Sequence, residues 1–117
     1  MKREEEALFH YKKAVEFNDG SALPPYNLGN FYLKLNRLEE AIAQYVSALN
    51  LNPRYPSAMG NMGNALLRLG RYGKAAQMYR RALAIAPNNA VATRGLEIAE
   101  KAITDETSGN GDARSDP

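Results

Sequence analysis

The chain has 117 residues, of which 44% are hydrophobic and 24% charged, and this composition suits one soluble domain. It contains no cysteine and a single histidine, so we expect no disulfide framework, no metal site and no cofactor. The amino terminus is rich in glutamate, and no apolar run approaches the roughly 18 residues of a membrane span. We therefore expect a cytoplasmic chain without a signal or transmembrane segment.

Charge is distributed unevenly along the chain. Residues 54–103 hold eight Lys and Arg against two Asp and Glu, whereas residues 104–117 hold one against four. A basic region attracts anionic partners, nucleic acid included, although the same pattern is more common on a solvated helix surface. The segment 104–117 has almost no apolar side chains, so we expect a disordered tail there.

A 34-residue repeat occupies the middle of the chain. When residues 22–55 are placed over 56–89, eleven of the 34 positions are identical, and residues before 22 match the second half of the same unit. A period of this length is typical of helical repeat arrays. The sequence predicts one domain over 1–103, built from a half repeat (4–21), two full repeats (22–55 and 56–89) and a terminal helix (90–103).

Each unit is predicted to contain two helices. In the second helix apolar residues recur at helical spacing, which gives one buried stripe. Asn36 and Gly70, between the helices, are the residue types that most readily end a helix in a left-handed conformation. Pro53 and Pro87 close the two units. The stripe consists of Leu38, Ala41, Ile42, Tyr45, Ala48 and Leu49.

Small residues recur where the two helices of a unit cross. Gly29 and Gly63 lie in the first helices and in-phase alanines lie in the second, and Tyr45 and Tyr79 fill the space beside them. This pattern resembles the tetratricopeptide repeat (TPR) family over residues 4–103. The resemblance implies an all-α fold, a right-handed α-solenoid of antiparallel helix pairs, whose first helices line a concave groove. It also implies a non-catalytic scaffold or adaptor that binds a protein or peptide.

The motif Asn-apolar-Gly-Asn occurs at 27–30 and again at 61–64, in the first helix of each full repeat. Its asparagines lie on the face opposite the apolar stripe. It is similar to the asparagine ladder in the TPR superhelix of O-linked N-acetylglucosamine transferases. Carboxamides can both donate to and accept from an extended peptide backbone. Because alanine is the better helix former, we expect replacing the four asparagines by alanine to leave the melting temperature equal or higher while binding falls. The peptide-binding candidates are Asn27, Asn30, Lys34, Asn61, Asn64, Arg68 and Arg94.

Other readings of the same residues stay open. A second TPR type grips a carboxylate with Lys, Asn and Arg, but two of its positions here hold Tyr26 and Ile98. Binding of nucleic acid or another polyanion is the rival to an acidic peptide partner. A third reading is the non-catalytic TPR arm of a larger enzyme. The rival polyanion site would use Arg54, Arg68, Arg71, Lys74, Arg80, Arg81 and Arg94.

No catalytic residues are predicted. The stretch GNMGNALLRLG follows no strand and lies inside a helical period, so a nucleotide-binding loop is not expected. His10 has no nucleophile or carboxylate at catalytic spacing.

The chain begins with a second helix and finishes with a first helix, so each end leaves apolar side chains without a partner helix. The unpartnered first helix of one molecule could pair with the unpartnered second helix of another. Head-to-tail self-association is therefore a further prediction.

Overall fold

The computed structural model describes the backbone of residues 2–115 and the side chains of residues 2–107. This part of the chain is all-α and forms six helices with no strand. No helix in it combines the length and the apolar run of a membrane span. The helices are α1 (Lys2–Glu16), α2 (Leu23–Lys34), α3 (Leu38–Leu51), α4 (Pro56–Arg68), α5 (Tyr72–Ile85) and α6 (Ala90–Ser115).

The helices follow the 34-residue period. The pair α2 and α3 falls within 22–55, and the pair α4 and α5 falls within 56–89. Prolines stand in the first turns of α2 and α4, where a missing N–H costs no helical hydrogen bond. Asn89 starts α6, because its Oδ1 accepts the backbone N–H of Ala92 at 3.0 Å.

The turn inside each repeat depends on one left-handed residue. Asn36 has φ of 59° and Gly70 has φ of 78°. In this conformation the next residue donates back to the preceding helix: the N–H of Arg37 to the carbonyl of Tyr32, and the N–H of Arg71 to the carbonyl of Leu66, both at 2.9 Å. The chain therefore reverses within three residues, and the two helices of each repeat pack antiparallel.

The last helix is longer than the sequence predicts. We expected it to end at Ile103 and residues 104–117 to be disordered, whereas α6 continues to Ser115. Lys101 pairs with Asp105 one turn later at 3.3 Å, and this segment contains no proline before Pro117, so the backbone can stay helical. Residues 116–117 of the predicted tail lie outside the described residues.

Two tyrosine rings form the centre of the packing. The rings of Tyr45 and Tyr79 lie against the backbone of Gly29 and Gly63, in the first helix of their own repeats, and both residues are fully buried. Tyr79 also lies against Gly95 of α6, the first helix of the next unit. Because glycine has no side chain, the helices can approach closely enough for the rings to fill the space between them.

The helices are spaced unequally on the two sides of the array. The first helices contact each other, α2 with α4 and α4 with α6. Among the described residues, the second helices α1, α3 and α5 make no comparable contact with one another. Closer spacing on one side curves the stack, so α2, α4 and α6 lie on the concave side.

The amino-terminal helix is only half covered. Leu8 and Val15 pack against α2, whereas Phe9 and Phe17 are 56% and 77% exposed. The ammonium group of Lys13 lies 5.5 Å from the centre of each of these rings. The predicted self-association through this end is not tested by the structure of one chain and stays a prediction.

The tyrosine–glycine contact gives a direct stability test. A Cβ added at Gly63 would stand 2.6 Å from the Tyr79 ring, whereas one added at Gly73, on α5, would meet nothing within 4 Å. We expect Gly63→Ala to lower the free energy of unfolding by about 1–3 kcal/mol through overpacking. The control Gly73→Ala should raise it by up to about 1 kcal/mol, since alanine is the better helix former. Urea unfolding of both variants measures the difference, and equal stabilities would contradict the packing described.

Candidate functional site

The predicted binding residues lie on the first helices, along the concave side. Three of them, Asn27, Asn30 and Lys34, are on α2. The residues on α4 are Asn61, Asn64 and Arg68, and Arg94 is on α6. The asparagines are half-buried, and the cationic side chains are exposed. Sequence reasoning placed the asparagines opposite the apolar stripe. Two of them nevertheless reach the core through hydrogen bonds.

Each core tyrosine donates its hydroxyl proton to an asparagine on the first helix of its own repeat. The Tyr45 hydroxyl lies 2.6 Å from Asn30 Oδ1, and the Tyr79 hydroxyl lies 2.5 Å from Asn64 Oδ1. The two pairs are equivalent, because each joins residues 15 positions apart in successive repeats. A buried hydroxyl needs a partner, so these amides satisfy the polar ends of the core rings.

A third asparagine joins the two repeats. Asn61 Nδ2 on α4 donates to Asn30 Oδ1 on α2 at 2.9 Å and to the Tyr26 hydroxyl at 3.3 Å. Asn30 Oδ1 therefore accepts from Asn61 and from Tyr45 at once. The result is a continuous hydrogen-bonded chain of side chains that spans α2, α3 and α4, which we call the amide chain (Tyr26, Asn61, Asn30 and Tyr45).

Burial changes the acidity of the core tyrosines. Desolvation raises the pKa of Tyr79 to about 12. It also raises the pKa of Tyr45, where the neighbouring Tyr26 adds to the effect and the positive charge of Arg68 opposes it. Both hydroxyls are therefore protonated donors at neutral pH.

Positive charge flanks the asparagines. Arg68 donates to the backbone carbonyl of Leu33 at 3.0 Å and so bridges α4 to the end of α2. Lys34 and Arg94 are exposed on α2 and α6, two of the first helices. Within the part of the chain that the structure describes, no group of three acidic or histidine side chains could hold a metal ion.

The asparagine ladder stops at the last helix. Gly95 stands 34 residues after Asn61, and a Cβ there would overlap the Tyr79 ring, so no side chain fits. The position 34 residues after Asn64 is Ile98, which is 49% exposed, and Val91 nearby is equally exposed. The concave side therefore changes from carboxamides on α2 and α4 to aliphatic side chains with Arg94 on α6.

Sequence reasoning did not assign the tyrosines to this site. Tyr45 and Tyr79 were expected to fill space, and Tyr26 was considered only as a break in a carboxylate-binding pattern. The signal was present, because an asparagine precedes a tyrosine by 15 residues in both repeats. Across two crossing helices such a spacing does not by itself say that the side chains touch.

These bonds revise the expectation that alanine is harmless at all four asparagines. Asn64→Ala leaves the buried Tyr79 hydroxyl without its acceptor, so we expect a loss of about 1–3 kcal/mol in the free energy of unfolding. The control Asn50→Ala, at an exposed site on α3, should be neutral or slightly stabilising. Thermal unfolding of both variants checks this. A melting temperature for Asn64→Ala at or above that of the wild type would contradict it.

The raised pKa values predict a loss of stability in alkali. The folded-state pKa of Tyr79 is about 12, and an unfolded tyrosine has a pKa of about 10. The unfolded chain therefore loses protons first, so stability is complete below about pH 10 and falls as the pH rises towards 12. Unfolding in urea at a series of alkaline pH values, with Tyr79→Phe as the reference, measures this. If the free energy of unfolding fell with pH as steeply in Tyr79→Phe as in the wild type, the raised pKa of Tyr79 would be contradicted.

Comparisons with known proteins agree with this architecture. A family model described as tetratricopeptide repeat matches residues 26–90. A search of curated protein sequences finds no match to this chain. The chain resembles the Arabidopsis OM64 TPR domain, with 26% identity, coverage of 86% of this chain and 83% of that one, and a TM-score of 0.80. It also resembles the second TPR domain of human RPAP3 in complex with the HSP70 peptide SGPTIEEVD, with 28% identity, coverage of 85% of this chain and 82% of that one, and a TM-score of 0.79. A third similar structure is the first TPR of Spaghetti (RPAP3) bound to the HSP90 peptide SRMEEVD, with 27% identity, coverage of 88% of this chain and 82% of that one, and a TM-score of 0.83.

The family match covers more than half of the chain, and its residues coincide with the helices that carry the repeated glycines, tyrosines and asparagines. This chain belongs to the tetratricopeptide repeat family.

Proposed function

We propose that this chain is a protein-binding adaptor module that holds an extended peptide segment along the concave side of α2, α4 and α6. One observation carries the proposal. Amides of two successive first helices meet on the concave side, because Asn61 on α4 donates to Asn30 on α2, and together they form a polar strip. An extended backbone, with its regularly spaced N–H and C=O groups, is the ligand that such a strip fits.

Charge favours an acidic segment. Lys34, Arg68 and Arg94 are exposed on the first helices α2, α4 and α6. The two RPAP3 domains that this chain resembles are bound to peptides whose sequences end in Glu-Glu-Val-Asp. Opposite charges across an interface raise the association rate and select among partners. An acidic, extended peptide is therefore the partner class that we propose.

The mode of binding differs from a grip on a terminal carboxylate. That grip uses Lys, Asn and Arg side chains, and two of its positions hold Tyr26 and Ile98 in this chain. Tyr26 accepts a hydrogen bond from Asn61, and Ile98 is exposed. We propose that the ligand is instead held along its backbone, with cations at the edges of the strip.

Polyanion binding is the second candidate function, and some of the arginines that it would use form ion pairs within the protein. Arg71 pairs with Glu39 at 3.6 Å, and Arg80 pairs with Glu100 at 2.9 Å. These contacts reduce the charge available to a phosphate backbone. A nucleic-acid complex would weaken steeply as salt rises, whereas a peptide held by backbone hydrogen bonds and a few charge contacts would weaken less.

The proposal is tested by titrating the full chain with the acidic probe peptide SRMEEVD, the peptide bound by a structural relative. The double variant Lys34→Glu/Arg94→Glu should bind the peptide at least about tenfold more weakly, because both cations are exposed on the first helices that we propose line the site. The matched control Arg54→Glu/Lys74→Glu changes the net charge equally at exposed sites outside it and should lose less than about threefold.

Calorimetry at two salt concentrations measures both variants. Equal losses in the two variants would show that only net charge matters and would contradict a concave site. Tight binding of single-stranded nucleic acid that weakens steeply with salt would favour the polyanion reading instead.

A further inference from the structure

Three asparagines on the concave side each have one end of the amide committed to the protein. Asn30 uses its Oδ1, which accepts from Tyr45 and from Asn61. Asn64 uses its Oδ1, which accepts from Tyr79. Asn61 uses its Nδ2, which donates to Asn30 and to Tyr26.

The tyrosine hydroxyls fix these orientations. A phenolic hydroxyl carries one proton, and an amide nitrogen has no lone pair to accept it, so only Oδ1 can pair with that proton. Turning Asn30 or Asn64 over would leave the proton of a buried Tyr45 or Tyr79 hydroxyl without this acceptor, at the cost of an unsatisfied buried donor. Once Asn30 presents Oδ1 to its neighbours, Asn61 must present Nδ2.

The free ends of the three amides therefore have a set order. Within residues 2–107, no side chain or backbone group bonds to Nδ2 of Asn30, to Oδ1 of Asn61 or to Nδ2 of Asn64. None of these three atoms is both buried and without a partner, so each has access to solvent. Asn61 also lines a cleft of about 100 Å³ on this side. The strip thus offers a donor, an acceptor and a donor.

We propose that Tyr45 and Tyr79 are positioning residues that lock the concave asparagines into this donor–acceptor–donor order. The ligand that matches the order is an extended peptide backbone presenting C=O, N–H and C=O. A row of phosphate groups, which presents acceptors alone, would leave Asn61 Oδ1 without a donor. This inference rests on the proposed function for its ligand, whereas the locked orientation is a property of the free chain.

The first experiment measures the orientation without any ligand. Solvent exchange of the asparagine side-chain NH₂ groups is followed by NMR in the full chain, with the exposed Asn50 as the reference. The NH₂ groups of Asn30 and Asn64 should exchange as fast as that of Asn50. The NH₂ group of Asn61 should exchange at least about tenfold more slowly, because both of its protons are hydrogen-bonded. Slow exchange at Asn30 or Asn64 with fast exchange at Asn61 would overturn the inference.

The second experiment tests the positioning role with the acidic probe peptide. Tyr79→Phe keeps the ring against the glycines but removes the hydroxyl, so the Asn64 amide can turn over. We expect the peptide to bind about 3- to 10-fold more weakly to this variant at a temperature well below its unfolding transition. The control Tyr11→Phe, at the matching position of α1, should bind as the wild type does.

Unchanged affinity in Tyr79→Phe would overturn the positioning role, even if the variant were less stable. If the wild-type chain bound no acidic peptide at all, the proposed function would fall, and the exchange pattern would still decide the orientation of the amides. The two failures are therefore distinguishable.

Discussion

The contact between a tyrosine ring and a glycine backbone holds this array together. In both full repeats the ring of the second helix lies on the glycine of the first, within a distance that no Cβ would tolerate. The dispersion contacts of the whole ring replace those that a side chain at the glycine would make. The hydroxyl of the tyrosine donates a hydrogen bond to an asparagine amide oxygen. Close packing and polar satisfaction are thus achieved by one residue.

The same contact links the repeats to the surface that we propose for binding. Tyr79 lies between Gly63 and Gly95, so it packs two first helices at once. Its hydroxyl then sets the orientation of Asn64 on the concave side. A change in the core of one repeat would therefore reach the concave surface through a single side chain. Tyr79 thus combines a packing contact with a contact to the proposed binding surface. Substitutions that remove one contact and keep the other are needed to distinguish its two roles.

Curvature and composition together define the concave side. The first helices lie closer to one another than the second helices do, so their outward faces converge. Carboxamides occupy this surface where α2 and α4 meet, and aliphatic side chains occupy it on α6. The acidic extended segment that we propose as the partner would contact carboxamides on α2 and α4 and apolar side chains near Val91 and Ile98.

The sequence alone determined the fold class and the periodic core. A 34-residue period, in-phase small residues and a left-handed residue at each helical turn are local signals, because each depends on spacing along one or two helices. The asparagines were found by the same periodicity. The extent of α6 was misjudged, since composition predicts whether a segment can pack but does not determine where a helix ends.

The contacts of the asparagines follow from the tertiary structure and not from the sequence. Asn30 meets Asn61 across two repeats and meets Tyr45 across a helix pair, and neither distance follows from helical spacing within one element. The ladder ends at Gly95 because the Tyr79 ring occupies the space of a side chain there, which a repeat alignment does not reveal. Periodicity determines which face a residue occupies. The relative placement of the helices decides which atoms on that face meet, and therefore which end of an amide has no partner within the described protein.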